Sequence, residues 1–219
     1  ACESLNFTVN IEDAEEQLRT LSAYIHETKG APCLRRLTVS IPELYTTTYG
    51  THFHYLFLIP DKSLANLTHL TLKYIVGHAW QGLADVYKAN GLSKLQVLVF
   101  EIAKLEEEPV KAWVGRVIAS AHKGETLQEL QFKEHLECDP KASLAIISAL
   151  QEGAFRNLQV LGGSGPCKLL VVDEVKDAFL LAMGTGAPCA STLREVWLGK
   201  LSEGQFGAFK RCLPRKNWR

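Results

Sequence analysis

The sequence predicts an α/β fold of about seven stacked strand–helix units, whose strands form one parallel sheet with the helices on its opposite side. Three observations carry this expectation. A hexapeptide template with Leu-like residues at its first, fourth and sixth positions recurs from one end of the chain to the other. The copies are spaced by 28 to 35 residues. The stretches between them carry apolar residues at helical rather than strand spacing.

The template reads Leu34-Arg35-Arg36-Leu37-Thr38-Val39, Leu67-Thr68-His69-Leu70-Thr71-Leu72 and Leu95-Gln96-Val97-Leu98-Val99-Phe100. It continues with Leu127-Gln128-Glu129-Leu130-Gln131-Phe132, a weaker Leu158-Gln159-Val160-Leu161 ending at Gly163, and Leu193-Arg194-Glu195-Val196-Trp197-Leu198. One period further back lies Cys2-Glu3-Ser4-Leu5-Asn6-Phe7, with Cys in the first slot. Strands are therefore expected to begin within about two residues of positions 34, 67, 95, 127, 158 and 193, all in one sheet. Alternation along a strand sends the fourth and sixth template residues to one face and the third and fifth to the other.

Helix signals fill the intervals. Leu18, Leu21 and Ile25 mark one apolar face, with Gly30 as its stop. Val110, Trp113, Val114, Val117, Ile118 and Ala121 form another stripe. The carboxylates Glu106, Glu107 and Glu108 and the first-turn Pro109 stand at its N-terminus. Asp139-Pro140 pairs an N-cap residue with Pro at the first helical position, and Leu144, Ile147 and Leu150 then mark the buried face. Val175, Phe179 and Ala182 do the same further on. The tetrapeptide Gly30-Ala31-Pro32-Cys33 returns as Gly186-Ala187-Pro188-Cys189, each copy between a helix and the next strand.

These hexapeptides and their period resemble leucine-rich-repeat proteins of the long-repeat, ribonuclease-inhibitor-like class, also seen in the recognition arms of F-box proteins. The resemblance covers essentially all 219 residues. It implies one leucine-rich-repeat domain over residues 1–219: a horseshoe solenoid with a concave parallel sheet and convex helices. That class carries Asn or Cys just after each strand, where the side chain bonds the turn backbone. Here the corresponding pairs are Ser40-Ile41, Lys73-Tyr74, Glu101-Ile102 and Gly199-Lys200, which predicts a flatter, degenerate solenoid. Neither end shows a polar capping repeat, so a fragment of a longer chain is expected, or an array capped by a partner.

Composition excludes several classes. Lys+Arg 24 against Asp+Glu 24 gives no net charge, and 47% of residues are hydrophobic. Such a chain is not disordered and has no electrostatic attraction to nucleic acid. The longest apolar runs, Tyr55 to Ile59 and Leu144 to Leu150, fall far short of the about 20 residues of a spanning helix. No membrane insertion is expected, and no signal peptide is visible.

Candidate chemistry is sparse. The 6 cysteines include no C-x-x-C pair and are expected as free thiols, Cys33 and Cys189 among them. Asn6-Phe7-Thr8 and Asn66-Leu67-Thr68 are glycosylation sequons, unremarkable against the roughly 0.7 expected by chance, and Asn6 falls on the outward side of its strand. A cytoplasmic or nuclear location is expected, with secretion left open by the sequons. His52 and His54 alternate in the stretch Thr51 to Ile59, but a metal site needs further ligands such as His69 or His78 to converge. Gly162-Gly163-Ser164-Gly165-Pro166-Cys167-Lys168 lacks the phosphate-loop spacing, has Leu169 where a hydroxyl belongs, and is no nucleophile elbow. No catalytic constellation stands out, so neither an enzyme, a cofactor nor a metal is expected.

What remains is the outward sheet face. The template places Arg36, His69, Lys73, Val97, Val99, Glu129, Gln131, Lys133, Val160, Glu195 and Trp197 there, along with Thr38, Ser40, Thr71 and Glu101. Val97, Val99, Val160 and Trp197 are apolar where water is expected. Such faces serve protein binding in repeat proteins, and an aromatic near charges is typical of an interface anchor. The expected function is a non-enzymatic module binding a partner protein through this face. The alternatives are a structural subunit of a larger assembly, or the substrate-recognition arm of an F-box-like adaptor.

Overall fold

Leu-x-x-Leu-x-Leu cannot bury its apolar positions within one unit, and the structure resolves this by laying the units side by side. A computed structural model describes residues 3–9, 13–27, 33–40, 64–75, 80, 83–84, 86, 92–105, 108, 110–115, 126–162, 168–170, 172–198 and 200–212. Its strands are β1 Ser4–Thr8, β2 Arg36–Ser40, β3 His69–Ile75, β4 Val97–Leu105, β5 Glu129–Cys138, β6 Val160–Leu161 and β7 Glu195–Val196. They form one seven-stranded sheet in the order β1-β2-β3-β4-β5-β6-β7, every neighbouring pair parallel. Each strand opens two residues after the start of its template copy, at the third template residue. The helices are α1 Ala14–Glu27, α2 Pro140–Gln151, α3 Asp173–Gly184 and α4 Glu203–Cys212, with further helical residues at 110–115 and at Trp80, Leu83, Ala84 and Val86.

Register follows the template. Third residues align as Ser4, Arg36, His69, Val97, Glu129, Val160 and Glu195, and the fifth as Asn6, Thr38, Thr71, Val99 and Gln131. One hydrogen-bond device recurs at all six junctions. Two successive amides donate to a single carbonyl of the preceding unit: Arg35 and Arg36 to Glu3, Thr68 and His69 to Arg35, Gln96 and Val97 to Thr68. Gln128 and Glu129 likewise donate to Gln96, Gln159 and Val160 to Gln128, and Arg194 and Glu195 to Gln159. Because the same template positions are used each time, this pattern fixes register independently of the length of the intervening segment.

The core lies under the fourth and sixth positions. Leu37, Val39, Leu70, Leu72, Leu98, Phe100, Leu130, Phe132 and Leu161 are all buried in one cluster that also takes in residues from every helix. Each such side chain contributes on the order of 1.5–3 kcal/mol through removal from water. The middle of the cluster is aromatic. Trp80 lies 4.7 Å from Phe100 and 5.3 Å from Trp113 between ring centroids, and Phe100 stacks on Phe132 at 5.4 Å. Phe155 continues the chain at 5.9 Å from Trp113, its packing offsetting a left-handed backbone with φ 55°.

The helix expectations hold at most described positions. Leu18, Leu21, Ile25, Val110, Trp113, Val114, Val175, Phe179 and Ala182 are buried. Asp139 caps α2, its Oδ1 accepting from the Lys141 amide at 3.0 Å with Pro140 in the first turn. Leu144, expected on the buried face of α2, is only partly buried. The expected Ile147 and Leu150 are buried, and Ala142, Ser143, Ile146 and Ala149 join them in a broader buried arc. Gly30, Val117, Ile118, Ala121, His52, His54, His78 and the loop Gly163 to Cys167 lie outside the described residues.

Candidate functional site

The outward face is built from the third and fifth template residues, with the residue two further on extending it in the longer strands. Arg36 and Glu195 are exposed, and His69, Lys73, Val97, Glu129, Gln131, Lys133 and Val160 are half-buried. The structure thus brings all eleven expected residues onto one face of one sheet, in the order the template gives. Val99 departs from expectation: only 6% of it is exposed, although it lies outside the main core cluster. In register it sits between Thr71 and Gln131, with Val97 and Glu101 on either side along β4. A short branched side chain flanked on all four sides, with the longer Gln131 and Glu101 among its neighbours, is left little room for water.

Polar contacts subdivide the face. Lys73 pairs with Glu101 across β3 and β4, Nζ to Oε2 at 2.5 Å. Lys133 stands on the far side of Glu101 in register. Gln131 donates through Nε2 to Glu129 Oε2 at 2.6 Å along β5, which confirms that both point the same way. His69 Nδ1 lies 2.9 Å from Thr68 Oγ1. Burial of the ring, and then the neighbouring Arg36 guanidinium, hold His69 below its ordinary value of 6.5, while Glu129 pulls in the opposite direction.

At the β7 end the face changes character. Trp197 follows β7, donates its amide to Leu161 O at 3.2 Å, and is 37% exposed. Its ladder neighbour is Gly162, whose amide donates to Leu130 O at 3.0 Å and whose carbonyl accepts from Phe132 at 3.2 Å. Gly162 has φ 111°, and a Cβ on it would stand 2.9 Å from Trp197 Cβ. The absent side chain is what lets Trp197 sit where it does. Gly162 occupies the fifth template slot, so the hexapeptide alignment already placed it in the row of Val99, Gln131 and Trp197.

Two threonines outside the hexapeptide carry further weight. Thr126 Oγ1 lies 2.7 Å from Leu95 O and 3.3 Å from Ser93 O, and Thr192 Oγ1 lies 2.8 Å from Leu158 O and 3.2 Å from Arg156 O. Both precede the template by one residue, and both reach the same two carbonyl positions of the previous unit. The sequence signal is a polar residue before the first Leu, seen also at Asn66 and Asn157.

Away from the sheet face, Lys176 is 5% exposed and its Nζ donates to Lys200 O at 2.8 Å and to Asp173 Oδ1 at 3.0 Å, fastening α3 to the segment after β7. Hydrogen bonding from Lys176, and then its charge, lower the Asp173 carboxyl below its ordinary 3.8. Cys33, Cys189 and Cys212 take part in no disulfide among the described residues. Cys33 and Cys189 both lie between a helix and the following strand, Cys189 inside a short 3-10 turn, Pro188–Ser191. Among the described residues, no group of three or more His, Cys, Asp or Glu could hold a metal ion, and no helix is long and apolar enough to cross a membrane. Comparison of the chain with models of protein families, with curated proteins and with solved structures finds no match.

Proposed function

We propose that the chain is a single leucine-rich-repeat solenoid of the long-repeat class that binds a partner protein through its outward sheet face and performs no catalysis. The observation that carries this reading is Trp197, a large aromatic 37% exposed on the same face as Glu129, Val160 and Glu195. Leaving such a side chain in water forgoes about 1.5–3 kcal/mol that a partner's surface can recover. Supporting it are the seven parallel strands in sequence order and the six identical junctions, the arrangement that stacked repeats require.

The test compares the wild-type chain with Trp197→Ala. Proteins retained by the immobilised wild type are purified and titrated against both. Affinity is expected to fall at least tenfold, with circular dichroism and the melting temperature nearly unchanged, because the indole is not part of the core cluster. Unchanged affinity would move the binding surface to the helical side. A collapsed melting temperature would mean that Trp197 supports the fold.

A structural subunit is the second reading. It is favoured by Leu181 and Phe206, 63% and 48% exposed on α3 and α4, beside a shallow groove of about 460 Å³ lined by Leu180, Leu181, Ala208 and Cys212. A chain of that kind is poorly soluble alone, whereas a recognition module remains monodisperse on size exclusion.

A further inference from the structure

We propose that the β5–β7 end of the outward face takes an arginine or lysine side chain of the partner polypeptide, its charged head between Glu129 and Glu195 and its alkyl stem along Val160 and Trp197. This rests on the reading of that face as a protein-binding surface, and adds the chemistry of what binds.

Three adjacent strands build the seat, two outward residues from each: Glu129 and Gln131 from β5, Val160 and Gly162 from β6 and its continuation, Glu195 and Trp197 from β7 and its continuation. The middle pair is the lowest, since one member is a valine and the other has no side chain. The outer pairs are long. Strands about 4.8 Å apart set the two walls about 9.6 Å from each other, and residues two apart along a strand lie about 6.6 Å apart. The result is a trough with an apolar floor. A carboxylate stands on each wall at one end, with a glutamine amide and an indole further along.

The charges around it are unbalanced. Neither Glu129 nor Glu195 is ion-paired among the described residues, and the Gln131 amide fixes Glu129 at the trough rather than neutralising it. The nearest outward cations are engaged or remote. Lys73 is paired with Glu101, Lys133 lies four residues along β5 from Glu129, and Arg36 lies three strands from Glu129. Arg194 precedes Glu195 and is exposed, without an ion pair to either carboxylate. A ligand that complements two carboxylates over an aliphatic floor beside an indole must be cationic at its tip and apolar along its stem. Arginine and lysine have that form: their methylene stems cover apolar surface while the head stays with charge. A guanidinium can also bridge two carboxylates and stack on the indole face.

The probe is a displayed library of random dodecapeptides panned against the full 219-residue chain. Peptides enriched in the selection are then synthesised and titrated by fluorescence anisotropy. Enriched sequences are expected to share Arg or Lys at one position. Glu129→Gln combined with Glu195→Gln should weaken the selected peptide at least tenfold, and raising salt from 50 to 500 mM should weaken its binding to the wild-type chain. Glu129→Lys with Glu195→Lys should instead prefer the same peptide carrying Glu in place of its Arg or Lys. If a double variant does not fold, Glu195→Gln alone gives the readout, since that side chain is exposed. A neutral or acidic consensus whose binding still depends on Trp197 overturns the basic partner and leaves the binding face standing. Peptides indifferent to Trp197→Ala overturn both, and a selection that enriches nothing overturns the basic seat.

Discussion

Replacing Gly162 with alanine tests the fold and the site together. Two costs combine there. A positive φ disfavours any residue with a Cβ by roughly 1–2 kcal/mol, and Gly162 holds φ 111°. The new methyl would also stand 2.9 Å from Trp197 Cβ and 3.3 Å from Trp197 N, both tied to backbone that cannot rotate away. Overpacking of this kind costs about 1–3 kcal/mol. The reduced freedom of the unfolded chain returns roughly 0.4–1 kcal/mol. The balance is a loss of about 2–4 kcal/mol, or on the order of 4–16 °C in Tm for a chain of this size.

Two other glycines separate the components. Gly186 has φ 90° with nothing within 4 Å, and Gly153 has φ 90° with Pro188 Cγ at 3.7 Å, an ordinary contact. Alanine at either should show the conformational cost alone, about 1 kcal/mol net. Urea denaturation of all three variants, with m-values compared to confirm an unchanged unfolding transition, gives the series. Should Gly162→Ala prove no worse than Gly186→Ala, the close approach of Trp197 to Gly162 is wrong. The geometry of the proposed seat would fail with it.

Thr126→Val and Thr192→Val should each cost about 1 kcal/mol by urea denaturation, because each hydroxyl reaches the same two carbonyl positions of the previous unit, with Thr192 Oγ1 also 3.0 Å from Cys189 O. No loss at either position would break the reading of the shared junction. His69 is held below its ordinary 6.5, so the unfolded chain binds a proton there before the folded chain does. Its contribution to stability is unperturbed above pH 6.5 and falls as pH drops from 6.5 towards the lowered folded value; His69→Gln should flatten that part of the stability profile. Lys176→Met keeps the buried stem but removes the bond to Lys200 O, and should cost about 1–3 kcal/mol while increasing amide hydrogen exchange around residues 200–203.

How much of this was legible before the structure depends on which force sets each feature. Strand positions were, because the fourth and sixth template residues must be buried and a shift of one would turn Leu37, Leu70, Leu98 and Leu130 out to water together. The same constraint gave the outward set. Leu144 lies at the margin of the buried arc of α2, which takes in small residues such as Ala142 and Ala149, so the large apolar residues alone do not locate it. The burial of Val99 was not legible either. It depends on how neighbouring side chains lie down over it, and periodicity reports only which way a side chain starts. A polar residue before the first template Leu is visible in the sequence, but its bonding is not, since the previous-unit carbonyls that Thr126 and Thr192 reach lie 31 to 36 residues away.

The division of labour within each hexapeptide explains why the fold can be read further than the function. Four of the six positions are committed to the stack: the first, fourth and sixth to the core, and the second to the shared carbonyl that receives two amides at every junction. These demands repeat, so each copy reports on the others. The third and fifth side chains are not committed to the core, and there the copies differ: Arg36, His69, Val97, Glu129, Val160 and Glu195 in one row, Thr38, Thr71, Val99, Gln131, Gly162 and Trp197 in the other. Variation where packing imposes no choice is where selection for a ligand can act. The least repeat-like residues on that face, Gly162 and Trp197, meet across β6 and β7 beside two carboxylates that no cation pairs among the described residues. If the stack alone had set these positions, threonine or valine would serve at both, as at Thr38, Thr71 and Val99. Neither a glycine with φ 111° nor a tryptophan left 37% in water makes the sheet more stable.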